Sequence, residues 1–73
     1  MQIFVKSART VALDVDEDTT VEAVKGLLAA AEGVPVNEQR LVFGGKQLED
    51  GCTLADCDVA SLDTLHLSLR VCG

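Results

Sequence analysis

The feature that most constrains the fold is a change of hydrophobic period, from alternation to a helical repeat and back, within only 73 residues. Apolar and polar residues alternate over residues 1–6 and 11–16, which predicts two half-buried strands joined as a hairpin. The joint from Ser7 to Thr10 contains no Gly or Asn, so we expect a four-residue loop of the type I kind. A chain of this length forms one domain with a small core.

The period changes at Val21, where apolar residues begin to recur on one side of a helix. Lys25 lies off the apolar stripe. Thr20 is placed to cap the helix, and Gly33 supplies a stop, so the predicted helix ends near Glu32. The stripe predicted to face the core is Val21, Val24, Leu27, Leu28 and Ala31.

Alternation returns after the helix, in short apolar segments at residues 41–43 and 47–48 and in a last strand from Thr64 to Val71. Because the helix separates the opening hairpin from the later strands, some strand pairs must be parallel. The pattern therefore predicts an α+β fold, a mixed sheet of four to five strands with one helix packed across it. The expected organisation is a domain over residues 1–70 and a flexible C-terminal tail over residues 71–73.

The net charge of the chain indicates which classes of partner it can bind. Twelve acidic residues against six basic ones give a net charge of -6, which repels phosphate backbones, so we expect no direct nucleic-acid binding and a preference for basic partners. No apolar run approaches the ~20 residues of a membrane helix, and Met1 leads directly into a strand pattern without a basic and apolar leader. These features predict a cytoplasmic and nuclear protein that does not enter membranes.

The thiols and the histidine are the candidates for metal binding and nucleophilic catalysis. Cys52, Cys57 and Cys72 match no zinc spacing, and the acidic run at 14–18 lacks the Gly and closing Glu of a calcium loop, so no metal or cofactor is predicted. We expect free thiols in preference to a disulfide, with Cys57 buried as a small hydrophobe and Cys52 and Cys72 exposed. Cys72 is roughly 20 Å from His66 along an extended chain. A Cys/His nucleophile, and enzyme activity in general, is therefore not expected.

Several segments carry a family resemblance. The chain resembles ubiquitin, in order, over Met1 to Lys6, Glu32 to Pro35, Gln39 to Phe43, Gly45 to Gly51 and Thr64 to Leu67. The similarity covers almost the whole chain and implies the β-grasp fold. Two departures, a first hairpin two residues shorter and Cys57 in place of a buried tyrosine, resemble the branch of the family made as an N-terminal fusion to a small-subunit ribosomal protein. The segment from Leu54 to Val59 is also similar to that branch.

The resemblance implies a docking patch. Ser68 replaces an apolar residue of that patch, and Ala8 lies near the position of a leucine, so ordinary ubiquitin receptors should bind with about 1 to 3 kcal/mol less free energy, about ten- to a hundredfold more weakly. The alternative that Val42 is one ordinary exposed apolar residue among many stays open. The patch residues are Val42, Gly45, His66, Ser68 and Leu69.

The resemblance also implies residues for conjugation. Arg40 and Arg70 match arginines that face the activating enzyme, and Gly73 matches the glycine tail at which members are processed and conjugated. Only glycine fits the narrow slot through which enzymes thread such a tail. With one Gly at its end, the sequence can stop short of the natural end, continue, or belong to a protein that no longer conjugates. Possible acceptor lysines are Lys6, Lys25 and Lys46, against the plainer interpretation that they are ordinary solvated lysines.

Two functions are therefore expected. The first is a ubiquitin-like modifier or fusion leader, cut after its terminal glycine by a deubiquitinase-type protease and met by activating or conjugating enzymes. As an acidic leader it would keep a fused basic ribosomal protein soluble. The second is a non-conjugated ubiquitin-like domain used only for docking. A monomer whose partners are proteins is expected in both cases.

Overall fold

The computed structural model describes residues 1–69, which form a five-stranded sheet and one α-helix. The strand order is β2-β1-β5-β3-β4, with β1 and β5 parallel and the other neighbours antiparallel. The predicted α+β, β-grasp architecture with a mixed sheet is confirmed. The elements are β1 (Gln2–Lys6), β2 (Thr10–Asp14), α1 (Val21–Glu32), a 3₁₀ turn (Val36–Glu38), β3 (Gln39–Phe43), β4 (Lys46–Gln47) and β5 (Thr64–Leu69).

The first hairpin is tighter than the sequence predicted. Lys6 pairs with Thr10, which leaves a loop of three residues and not four. The Ser7 N–H donates to the Arg9 carbonyl at 3.0 Å and closes this loop. Strand β2 therefore begins at Thr10, one residue before the start that the alternation indicated. Strand β2 ends at Asp14, but Val15 still turns into the core, 6% exposed. The predicted end of the last strand and the predicted tail lie outside the described residues.

The helix bounds agree with the prediction because the signals that set them are local. The Thr20 hydroxyl oxygen accepts a hydrogen bond from the Ala23 N–H at 3.1 Å and satisfies one of the free donors of the first turn. Gly33, at φ 72°, has the left-handed conformation that ends helices, and its N–H donates to the Ala29 carbonyl at 2.9 Å.

The face that the helix turns to the core differs from the predicted stripe. Leu27 is 44% exposed and Ala31 is exposed, whereas Lys25 is only 6% exposed. The predicted stripe is wrong at these positions because the buried spacing is i, i+3, i+4 and i+7, which places Lys25 inside and Leu27 at the flank. The Lys25 stem packs on the core while its ammonium group donates to Asp50 at 2.6 Å. The buried helix residues are Val21, Val24, Lys25 and Leu28.

The core is aliphatic, as the composition predicted. Phe4 and Phe43 are only half-buried, and fully enclosed positions are taken by Ile, Leu and Val. Gln39 is a polar exception, 1% exposed: its Nε2 donates to the carbonyls of Lys25 and Val34 at 2.9 Å each and joins the start of β3 to the helix and the segment after it. The core cluster is Ile3, Val5, Leu13, Val15, Val21, Val24, Leu28, Leu41, Leu48, Leu54, Val59 and Leu65.

Two adjacent leucines test which helix face is buried. Leu28→Ala removes a side chain that is 0% exposed and should lower the free energy of unfolding by about 2 to 5 kcal/mol. Leu27→Ala, the matched control, removes a side chain that is 44% exposed and should cost less than about 1 kcal/mol. Urea denaturation followed by circular dichroism measures both, and equal losses would contradict this orientation of the helix.

Candidate functional site

The helix covers one face of the sheet and leaves the opposite face open to solvent. Strand residues that alternate with the core positions point to that open face, because successive side chains of a strand lie on opposite sides. The core positions Ile3, Val5, Leu41 and Leu65 share one buried cluster with the helix. We call the opposite surface the outer sheet face, formed by Gln2, Phe4, Lys6, Ala12, Arg40, Val42, Gln47, Thr64, His66 and Ser68.

The strand register brings several predicted site residues together on the outer sheet face. Lys6 of β1 lies opposite His66 of β5, and His66 lies opposite Val42 of β3. Arg40 lies opposite Ser68 in the same ladder. Val42 is half-buried and the other four are exposed, so the face offers one partly apolar position inside a polar and basic row. The predicted activating-enzyme residue Arg40 therefore adjoins the predicted patch.

The remaining two patch residues lie elsewhere. Gly45 is in the turn between β3 and β4, at φ 80°, at the sheet edge. Leu69 pairs with the buried Gln39 and so points to the helix side of the sheet, opposite to Ser68. It is 61% exposed because the helix no longer covers that end of β5. Leu69 therefore lies on the other side of the sheet from His66 and Ser68, as the predicted alternation along the strand requires, and its role in the patch stays a prediction.

Leu69 borders a separate apolar hollow of about 300 Å³ between the first hairpin loop and the end of the helix. An ion pair closes one side of it: Arg9 Nε donates to Glu32 Oε1 at 3.0 Å, and the Glu32 side chain is only 14% exposed. The hydrogen bond from Arg9 lowers the pKa of Glu32, against the opposing effect of burial. The residues that line the hollow are Ser7, Ala8, Glu32, Val34, Leu67 and Leu69.

Charge is distributed unevenly over the described residues. Among the lysines and arginines of residues 1–69, Arg9 and Lys25 are held in ion pairs with carboxylates. Lys6, Arg40 and Lys46 make none there and are exposed, Lys6 and Arg40 on the outer sheet face. Acidic residues are concentrated in the loops and on the helix, and Asp14 is the one acid that the pairing within residues 1–69 places at the rim of that face. The outer sheet face is thus locally basic in a chain with a net charge of -6.

The predicted acceptor lysines differ in the solvent exposure of their side chains. Lys6 and Lys46 are exposed. The Lys25 side chain is 8% exposed and its ammonium group lies 2.6 Å from Asp50 Oδ1. The structure therefore argues against Lys25 as an acceptor, because an incoming thioester would have to displace both the ion pair and the packed stem. The sequence pattern missed this because Asp50 is remote in the chain.

The thiols do not assemble with the histidine. His66 is on the outer sheet face, whereas Cys57 packs against the core cluster. Cys57, expected to be buried, and Cys52, expected to be exposed, are both half-buried. Burial is the first cause that raises the pKa of the Cys57 thiol, which is the opposite of nucleophile activation. Within residues 1–69 no His, Cys, Asp and Glu cluster has a metal-binding arrangement, and no helix there is long and apolar enough to span a membrane.

Comparison with known protein families matches residues 3–72 to the Ubiquitin family. The chain belongs to the ubiquitin family. This match agrees with the mixed sheet, the single crossing helix and the distributed resemblance of the sequence. As a domain of this family it is a non-enzymatic module, as predicted.

Individual relatives give a finer comparison. The chain is 40% identical over 97% of its length to a ubiquitin-like protein 1-ribosomal protein eS31 fusion protein of Caenorhabditis elegans, and 42% identical over the same share to that of Caenorhabditis briggsae. It spans 42% of the length of each of these relatives. It is also 33% identical, over 80% of its length, to a segment that makes up 12% of the E3 ubiquitin-protein ligase parkin of Rattus norvegicus.

Some predicted site residues are outside residues 1–69. Arg70, Cys72 and Gly73 belong to this group, so their predicted roles stay predictions. The patch and the activating-enzyme contact are likewise predictions of role, for which the register supplies only positions. Sequence reasoning missed the place of Lys6 beside His66, which needs the strand register, and the proximity of Cys52 to Cys57, for which the Thr53 and Asp56 spacing was a readable signal.

Amine labelling tests the lysine assignment. Treatment of the folded protein with a limiting amount of an acetylating ester should modify Lys6 and Lys46 well before Lys25, by about tenfold or more, because the buried amine is both shielded and ion-paired. Peptide mass spectrometry at successive times gives the three rates. Denaturation in urea before labelling is the control and should equalise them. Equal rates in the folded state would contradict the protected position of Lys25.

Proposed function

We propose that this chain is the ubiquitin-like leader of a fusion with a small-subunit ribosomal protein, processed after a C-terminal glycine. One observation carries the proposal: the similarity extends over 97% of the chain to relatives whose names state a fusion with ribosomal protein eS31, and the chain spans only 42% of their length. The remainder of such a protein is long enough for a second domain. A deubiquitinase-type protease would separate the two parts at Gly73 or at a glycine that follows it.

The acidic surface suits this role. Ribosomal proteins that contact RNA are rich in positive charge, and an acidic domain ahead of one lowers the net charge of the precursor. The exposed acids responsible lie outside the strands, in the loop Asp16 to Asp18 and around Asp56 and Asp58. The leader would thus keep the precursor soluble while its folded domain stays available for docking. We place this protein in the cytoplasm and the nucleus, and expect it to be a monomer.

Docking is proposed at the outer sheet face. Val42 offers a partly buried apolar contact, and Lys6, Arg40 and His66 surround it with donors and positive charge. A partner segment with an apolar anchor and flanking acidic residues would match this arrangement. Ser68 removes an apolar contact from the same face, so receptors built for ubiquitin should bind weakly. Activating or conjugating enzymes would have to accept this altered surface.

The second candidate is a non-conjugated docking domain inside a larger protein. The similarity to a segment that is 12% of parkin favours it, because that segment belongs to a much longer chain. In this case no cleavage would follow Gly73, and the outer sheet face would be the sole functional feature.

Expression of the natural coding sequence in eukaryotic cells, with a tag ahead of Met1, discriminates the two functions. The fusion-leader proposal expects a short tagged product whose intact mass ends at a glycine, and a separate basic protein. Gly73→Ala should leave the precursor joined, because a methyl group does not pass a slot shaped for glycine. Gly51→Ala is the matched control: no atom lies within 4 Å of the added methyl group, and cleavage should proceed as in the unaltered chain. An unaltered precursor that stays joined would overturn the proposal and support the docking domain.

A further inference from the structure

Two thiols flank a short helical turn that a reciprocal pair of hydrogen bonds holds closed. The Thr53 hydroxyl accepts from the Asp56 N–H at 3.1 Å, and the Asp56 carboxylate accepts from the Thr53 N–H at 3.2 Å. This is the arrangement of a capping box. The Cys57 N–H completes the turn by donating to the carbonyls of Thr53 and Leu54 at 3.2 and 3.1 Å.

The capping box determines where the two cysteines lie. Cys52 directly precedes the capping residue and Cys57 is the fourth residue after it. Side chains at these two positions pack against each other in capped turns, which is the hydrophobic staple. The Cys52 carbonyl also accepts from the Val21 N–H at 2.8 Å, so the turn is anchored to the start of the helix. The fold therefore holds the two thiols beside one another.

The thiols share a surface hollow that small molecules can enter. It has a volume of about 260 Å³, and both cysteines are half-buried in its wall with their thiols free. Burial, the nearby Cys52 thiol and the acid Asp56 raise the pKa of Cys57. The raised pKa disfavours Cys57 as the first nucleophile, so we assign the first attack to Cys52. Other residues in the wall are Phe43, Lys46, Leu48 and Glu49.

We propose that Cys52 and Cys57 form a dithiol modification site that reacts with low-molecular-weight disulfides, such as glutathione disulfide, and closes into an intramolecular disulfide. This property is independent of processing at Gly73 and of docking at the outer sheet face. It concerns a different edge of the molecule, between β4 and the capped turn.

The reaction is two successive exchanges. The Cys52 thiolate attacks one sulfur of glutathione disulfide, the S–S bond of the reagent breaks, and the departing glutathione thiolate takes up the proton that Cys52 released. Cys57 then loses its proton and attacks the Cys52 sulfur of the mixed disulfide. The second glutathione leaves as a thiolate and takes up that proton. Two protein thiols are oxidised to one disulfide while one glutathione disulfide is reduced to two thiols.

Equilibration with a glutathione redox buffer tests the site. The chain with Cys72→Ser, which leaves only the pair, is incubated in a mixture of reduced glutathione and glutathione disulfide at about 1 mM each, quenched in acid, and analysed by intact mass. We expect a product lighter by two hydrogen atoms to exceed glutathione adducts about tenfold or more, because a neighbouring thiol competes at a high effective concentration. Predominance of adducts carrying glutathione on either cysteine, or no reaction, would overturn the proposal.

Two comparisons test whether the fold causes the preference for the intramolecular disulfide over the glutathione adduct. The same equilibration in urea should lower the ratio of disulfide to adduct about fivefold or more, because the unfolded segment no longer holds the thiols together. Thr53→Ala removes the cap hydroxyl and should lower the ratio about fivefold in the folded protein. Ser61→Ala, an exposed hydroxyl away from the turn, is the matched control and should leave the ratio unchanged. If Thr53→Ala does not fold, the urea comparison decides alone, and an unchanged ratio there would overturn the proposal.

Discussion

The parallel pairing of β1 with β5 is the constraint on which the rest of the structure depends. It places Phe4 beside Thr64, Val5 beside Leu65 and Lys6 beside His66, and so joins residues from the two ends of the described chain at the centre of the sheet. Parallel neighbours require a crossover connection, and the helix α1 lies in the connecting segment. The buried helix residues then complete the core. Their contribution is needed because the chain has only two phenylalanines to fill the interior.

The same pairing produces the candidate docking surface. Because strand side chains alternate, burial of Val5 and Leu65 on one side sets Lys6 and His66 on the other. The antiparallel neighbour β3 extends that row to Val42. Fold and surface are thus consequences of one register, and a slip by one residue would bury the basic row and expose the core.

The parts of the fold that could be predicted are those with local signals. The cap at Thr20 and the left-handed Gly33 act within one turn of the chain, so the helix bounds were recoverable from sequence. The burial of Lys25 could not be predicted in this way. It depends on the ion pair with Asp50, twenty-five positions away in the chain, and on packing of the aliphatic part of a side chain that is classed as polar. The alternation that predicted β5 was right, yet the resemblance grouped Leu69 with residues of the opposite face.

The candidate site also divides into features that the sequence indicates locally and features that only the strand register shows. Resemblance named Val42, His66 and Ser68, but only the register showed that Lys6 completes the row. The position of Cys52 next to Cys57 is encoded locally, by the spacing of Thr53 and Asp56 that is typical of a capped turn.

The proposed docking on the outer sheet face is tested by an NMR titration of the labelled protein with a ubiquitin-receptor domain. We expect chemical-shift changes centred on Lys6, Val42 and His66, with an affinity about ten- to a hundredfold weaker than that of ubiquitin. Changes centred on the hollow around Leu67 and Leu69, or an affinity equal to that of ubiquitin, would contradict it.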